Sequence, residues 1–185
     1  MISYIFFFSL IVSFNLLLFK YSKEIRAILL ISIFIKLVLI LINNNFFYLM
    51  DGSADAFNFH KHAVMYLDEG REAIFEGGLH DIYALSQISA YIYSLFGEDI
   101  MFMQLISLSV SSLSLIIFYY CLGEFKLKSK YKILSCLIFL FHPFLLNYSV
   151  LTMREPYAVL VLLLFLFFTF RYFNTKNSFY LLLNL

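Results

Sequence analysis

Charge is what this chain has least of. Asp, Glu, Lys and Arg together make up 14% of its 185 residues, where a soluble domain carries about a quarter. With 63% apolar residues, 24 Phe and 14 Tyr, too much greasy surface would be left over for a core of this size, so a soluble globular domain is excluded. Two prolines and six glycines are too few for a low-complexity or collagen-like chain. The only two cysteines, Cys121 and Cys136, lack the spacing and neighbours of a metal or nucleophile site, and packing is expected of them. Both fall near the ends of apolar runs on what reads as the reducing, cytoplasmic side. No basic residue precedes the first apolar run and no clear small-x-small site follows it, so residues 1–19 read as an uncleaved span and not as a signal peptide.

What is present is long and continuous. Mean hydropathy is +0.88, and the apolar runs are long enough for helices, not barrel strands. The expected class is an all-α, polytopic membrane protein with about five transmembrane helices, at 1–19, 27–50, 100–122, 133–150 and 156–170. A last apolar piece, 179–185, stops after seven residues; a span needs about 20, so a truncated sixth is expected. Residues 1–185 then form a single transmembrane domain, incomplete at its end. Lys36 sits inside the second run. A charge there marks function by default, or snorkels to water along its own stem, and snorkelling is the favoured reading.

The basic residues set the orientation. Lys20, Lys23 and Arg26, then Lys126, Lys128, Lys130 and Lys132, then Arg171 and Lys176 are nine of the 13 Lys and Arg. All fall on one side if each run crosses once. By the positive-inside rule that side is the cytoplasm, which implies a multi-pass inner-membrane protein with loop 51–99 outside. That loop carries nine carboxylates against Lys61 and Arg71. No nucleic-acid partner is expected.

A loop of about 50 residues between spans is where function concentrates. On a helix over 55–69, Ala56, Phe59, Ala63 and Leu67 share one side, while Asp55, Asn58, His62 and Glu69 share another. This predicts an amphipathic helix at the membrane surface, ended by Gly70. His60 falls in the apolar arc as a packed residue. Asp55 occupies the N-cap position, where it caps the helix or acts as a base. Asp51 and Asp55 together are a pair that can hold one divalent metal, or work as base and orienter. Over 82–96, Leu85, Ile88, Ile92, Leu95 and Phe96 predict a second juxtamembrane helix, with Gly77-Gly78 turning between the two and Asp99 capping the next span. In the short outer loop Asn147–Pro156, Pro156 starts a helix. Glu155 beside it favours the helix's positive end or does catalysis. Arg154 anchors to headgroups or clamps a phosphate.

The order of Asp51-Gly-Ser-Ala-Asp55 with His60 to Leu67, Tyr91-Ile-Tyr-Ser-Leu-Phe-Gly-Glu-Asp99, and His142-Pro143 through Tyr148-Ser149 to Arg154-Glu155-Pro156 resembles the amino-terminal half of GT-C-type membrane glycosyltransferases. These are the protein mannosyltransferases, the aminoarabinose transferases and their relatives. The likeness covers about residues 27–172, with 51–99 as the catalytic outer loop and 1–19 as an extra span. It implies transfer of a sugar from a polyprenyl-phosphate donor to an acceptor on the outer face. Asp55 and Glu155 would be catalytic, Asp51, Asn58, His62 and Arg154 would bind substrate, and Asp51 with Asp55 would hold a divalent metal if one takes part. The alternatives are an O-antigen or capsule repeat-unit polymerase, a non-enzymatic membrane protein, and an inactive fragment. If the nine basic residues mark the inner face, cysteines introduced at Ser53 and Ser129 will react with impermeant maleimide from opposite sides. Labelling of both from one side would reverse the topology.

Overall fold

A computed structural model describes residues 23–70, 73–75 and 83–176. The expected spans at 1–19 and 179–185, Lys20 and the Gly77-Gly78 turn lie outside the described residues. Within them every regular element is helical: α1 (Lys23–Asn45), α2 (Asp55–Asp68), a 3-10 turn (Ala73–Phe75), α3 (Ala84–Phe96), α4 (Ile100–Glu124), α5 (Ser129–Phe141), α6 (Pro143–Tyr148) and α7 (Glu155–Thr175).

Three stretches, Ile25–Asn45, Ile100–Glu124 and Glu155–Thr175, are long and apolar enough to cross a membrane. The run at 133–150 behaves differently. Its helix stops at Phe141, His142 takes an extended conformation (φ −62°, ψ 117°), and Pro143 opens a separate six-residue helix. Proline has no N–H to continue the ladder, its ring clashes with the carbonyl four residues back, and it pushes the residue before it out of the helical region. The 13 residues of α5 rise about 20 Å, short of the ~30 Å hydrocarbon layer. The expected fourth span is therefore a broken pair of helices. The chain then tucks Ser149 to Met153 inside the protein before α7 begins.

α4 is the central element. Its basic-side half packs Leu115, Ile116 and Leu122 against Ile25, Ile28 and Leu29 of α1 and against Cys136 and Leu140 of α5. At the other end Leu105 and Leu108 meet Ile33 and Ile40 of α1, Ala56 of α2, and Tyr148, Val150, Leu151 and Met153. The last turns of α4 and α7 are joined by Arg171, whose guanidinium lies 2.8 Å from Glu124 Oε1, and by Asn174, which donates to Glu124 Oε2 at 2.8 Å. The described basic residues near the helix ends thus gather at one end of the bundle. Asp51 and the loop before α7 lie at the other.

Polar side chains turn inward. Ser107, Ser111, Ser112 and Ser114 of α4 are all buried. Ser111 and Ser112 donate to Leu108 O, and Ser114 to Val110 O. A serine that bonds back to its own helix is satisfied without water and lets neighbouring helices close in. Large apolar side chains turn outward, including Phe34, Leu41, Val161, Leu162 and Phe165. One expectation fails for this reason. Lys36 does not snorkel: it is only 4% exposed, and its Nζ donates to Ser111 Oγ at 2.8 Å. In α3 Leu85 of the apolar stripe is buried and Ile88, Leu95 and Phe96 are exposed, while Ser86, Gln87, Ser89, Ala90 and Tyr93 face the protein.

α2 and α3 are clasped together. Ser86 Oγ donates to Phe59 O at 3.0 Å, and His60 Nδ1 lies 2.9 Å from the Tyr93 hydroxyl. Burial first, then the charges of Asp99 and Glu98, push that hydroxyl above the usual tyrosine range, so it stays protonated. Gly70 ends α2's last turn at φ +102°, and Asp99 caps α4 by accepting from Met101 N and Phe102 N. Ala90→Leu is expected to destabilise the purified protein by about 1–3 kcal/mol through overpacking. Leu95→Ala, at an exposed site, should change it by no more than about 0.5 kcal/mol. Thermal unfolding in detergent distinguishes the two, and equal losses would mean that α3 packs by its apolar stripe.

Candidate functional site

The outer end is built from the turn that follows α1. Three asparagines close that helix. Asn45 Nδ2 donates to Leu41 O at 2.9 Å, while Asn43 Oδ1 accepts the Leu49 N–H at 2.9 Å. The chain then doubles back, with Gly52 N donating to Leu49 O. Asp51 adopts a left-handed conformation (φ +63°), which aspartate tolerates better than most residues. Gly52 is required by close approach: a Cβ there would lie 2.7 Å from Asn43 Oδ1 and 3.0 Å from Leu49 O.

Two consecutive residues from the end of α6 grip this turn. Asn147 Nδ2 donates to Met50 O at 2.9 Å, and the Tyr148 hydroxyl donates to Asp51 Oδ2 at 2.5 Å, across 97 residues of sequence. The Tyr148 hydroxyl also lies in the electrostatic fields of Glu155 and Asp55. The two outer segments therefore meet at the Tyr148–Asp51 and Asn147–Met50 bonds.

The other nominated residues divide. Asp55 is the first residue of α2 and is exposed. Ala54, not Asp55, holds the N-cap position, and the Asp55 carboxylate makes no capping bond. Asn58, one turn on, is exposed as well. His62 is half-buried, with its ring 4.7 Å from that of Tyr83 at the start of α3. Arg154 is exposed and its guanidinium carbon stands 5.5 Å from the centre of the Phe59 ring, a cation–π distance that ties the second outer loop to α2. Glu155 Oε2 is buried and has no hydrogen-bond partner, and the residue lines a cavity between the helices that Lys36 also lines.

Beside the Asp51 turn opens a cleft of about 310 Å³. Its polar lining comes from Asn43, Asn44, Gln104, Thr152 and His60, its apolar lining from Tyr48, Phe57, Ile100 and Leu151. Asn44 and Gln104 exchange amide hydrogen bonds of 2.7 and 3.2 Å. Thr152 Oγ1 is buried and has no partner. Asp51 and Asp55 do not line this cleft, although their neighbours Gly52 and Ala56 do. Among the described residues no group of three or more His, Cys, Asp or Glu is placed to hold a metal. Asp51 and Asp55 would supply two carboxylates, one oxygen of which already accepts from Tyr148.

The chain matches no family model, no curated protein and no solved structure.

Reading the sequence alone passes over Tyr148 as a site residue, and over Asn44, Gln104 and Thr152. A signal for the amides exists: three asparagines close an apolar run, and Gln104 is the single amide in α4. Nothing local marks Tyr148, one of 14 tyrosines. Gly52→Ala should lower stability by about 1–3 kcal/mol, because the new methyl displaces the Asn43 side chain from the Leu49 N–H. Ser53→Ala, exposed next door, should stay within about 0.5 kcal/mol. Thermal unfolding of both variants checks the close approach, and an unaffected Gly52→Ala would refute it.

Proposed function

We propose that this chain is a membrane glycosyltransferase, or the amino-terminal part of one, that moves a sugar from a polyprenyl-phosphate donor to an acceptor at the outer face, in surface-polysaccharide or glycoconjugate synthesis. The observation that carries the reading is the junction of the Asp51 turn with Asn147 and Tyr148 at the mouth of an amide-lined cleft. Amides and a threonine hydroxyl both donate and accept, which suits the hydroxyls of a neutral sugar ring, and aromatic walls suit its apolar face.

In this reading the acceptor oxygen attacks the anomeric carbon, its proton passes to Asp55, and the bond from that carbon to the phosphate oxygen breaks. The electron pair leaves with the polyprenyl phosphate. Arg154 holds the departing phosphate, with Asn58 and His62 toward the substrate along α2. A divalent metal would sit at Asp51 and Asp55, and such an ion commonly completes its shell with substrate phosphates and water. Glu155, the second acidic residue of the GT-C resemblance, sets the charge behind Tyr148. The exposed Ile88, Leu95 and Phe96 of α3 would rest on the outer membrane–water interface, where a lipid-linked donor presents its head group. In this reading the described spans lie in the inner membrane, with the Asp51 turn and the loop before α7 on the outer side.

A second reading, a non-enzymatic transport component, draws on the buried Lys36 and the buried serines of α4, since such proteins line their paths with polar groups inside the spans. One assay separates the two. Membranes containing the chain are incubated with labelled polyprenyl-phosphate sugars, and loss of label from the lipid is followed. Asp55→Asn should lower the rate about 10²–10⁴-fold, the usual contribution of a positioned base, with membrane insertion unchanged. Arg154→Ala should raise the KM for donor about tenfold or more, as expected for a lost charge-assisted bond. Full turnover in Asp55→Asn would remove the base assignment. The absence of any turnover by the intact chain would favour the transport reading.

A further inference from the structure

Between the end of α1 and Asp51 the chain carries five uncharged residues, Phe46-Phe47-Tyr48-Leu49-Met50. Leu49 packs against the buried cluster that holds Ile40, Leu105 and Leu151. The other four are 63–80% exposed, and such a concentration of open apolar surface marks a contact with lipid or protein. The backbone beneath them is held throughout. Phe46 N and Phe47 N both donate to Ile42 O, Leu49 N donates to Asn43 Oδ1, Leu49 O accepts from Gly52 N, and Met50 O accepts from Asn147 Nδ2. The turn is thus a fixed prong with apolar side chains on its outside.

Its position along the first described span says what it meets. The apolar stretch Ile25–Asn45 has 21 residues and rises about 31 Å, against ~30 Å for the hydrocarbon layer of a bilayer. With the Lys23 end at one boundary, residue 46 emerges at the other. The outward face of α1, with Phe34, Val38 and Leu41 exposed, leads to Phe46 with no charged residue between. The prong therefore continues a surface that already faces acyl chains. Aromatic side chains suit this depth, where an apolar body and a polar edge can each find their own medium.

We propose that the turn 46–50 is a membrane anchor, in which Phe46, Phe47 and Met50 enter the upper acyl region of the outer leaflet and Tyr48 lies at the level of the head groups. The turn carries no Lys, Arg or His, so its partner is the apolar layer itself and not an anionic head group. The anchor bears on the candidate site. Met50 O and Asp51 are the two points that Asn147 and Tyr148 hold, and Tyr48 lines the cleft beside them. Anchoring the turn therefore fixes that cleft at the membrane surface. The inference does not rest on glycosyl transfer, and no readout below involves turnover.

The test exploits the absence of Trp from the chain, so that one introduced indole reports only on its own site. Phe46→Trp, Phe47→Trp and Phe165→Trp are reconstituted separately, as full chains, in phosphatidylcholine vesicles brominated at either a shallow or a deep position of the acyl chain. Phe165 is exposed midway along α7 and serves as the reference for the bilayer centre. Each substitution exchanges one exposed aromatic ring for another, so the fold is not at stake. Phe46→Trp and Phe47→Trp should emit at blue-shifted wavelengths, resist aqueous acrylamide, and lose more fluorescence to the shallow bromines than to the deep ones. Phe165→Trp should show the reverse order. Strong acrylamide quenching of Phe46→Trp and Phe47→Trp would place the turn in water and overturn the anchor. Blue-shifted emission that neither brominated lipid quenches would mean that protein covers the turn, whether residues 1–22 or a second copy of the chain, and would overturn it equally.

Discussion

The hydrogen bond from Tyr148 to Asp51, with its neighbour from Asn147 to Met50 O, is the contact on which the outer end of this protein depends. It fastens the turn after the first described span to the helix that precedes the last one. Without it, α2 and the loop before α7 would be separate attachments. With it, Ala56 of α2 packs against Val150, Leu151 and Met153, and Arg154 comes to rest over Phe59. The break at His142-Pro143 makes this possible. An unbroken helix over 129–148 would carry Asn147 and Tyr148 on along the α5 axis. The interruption re-aims them, and the chain beyond folds back inside.

The second organising constraint is the scarcity of water around the helices. Backbone groups in a membrane are satisfied within each helix, so side chains decide which faces meet. Small and polar residues gather at the contacts, where the serines of α4 bond back to their own carbonyls, while bulky apolar residues are left facing outward. The same rule accounts for α3, which packs by Ser86, Ser89 and Ala90 and shows Ile88 and Leu95 to the outside. It accounts for Lys36 too. A lysine with a serine at 2.8 Å has a polar destination inside the bundle and no reason to extend toward a distant surface.

The chain therefore holds two cavities, one above the other. The upper one, beside the Asp51 turn, carries the amides of Asn43, Asn44 and Gln104. The lower one holds Lys36 and Glu155 among mostly apolar residues. Tyr148 belongs to both, since its hydroxyl reaches Asp51 while its residue lines the lower cavity. In the glycosyl-transfer reading the upper compartment takes the sugar and the lower one sets the charge beneath it.

Much of this was legible in the order of residues. Apolar run lengths located the three long helices at 25–45, 100–124 and 155–175 within a few residues, because a helix in an apolar medium must be continuous and uncharged. Gly70, Asp99 and Pro156 marked helix ends, because their effect on the backbone is local. Asp55 falls on the exposed side of α2, but one place beyond the N-cap position expected of it, which Ala54 holds. What periodicity could not decide was which face of a helix is the inside. Near a membrane, hydrophobicity no longer points to the core, so the stripe of α3 could not say which of its faces meets the protein, and Lys36 was sent toward water. The pairing of Tyr148 with Asp51, the amide-lined cleft and the shared cavity of Lys36 and Glu155 were decided only by the tertiary structure. Each joins residues 60 or more apart in sequence, and no local preference of either partner carries that information.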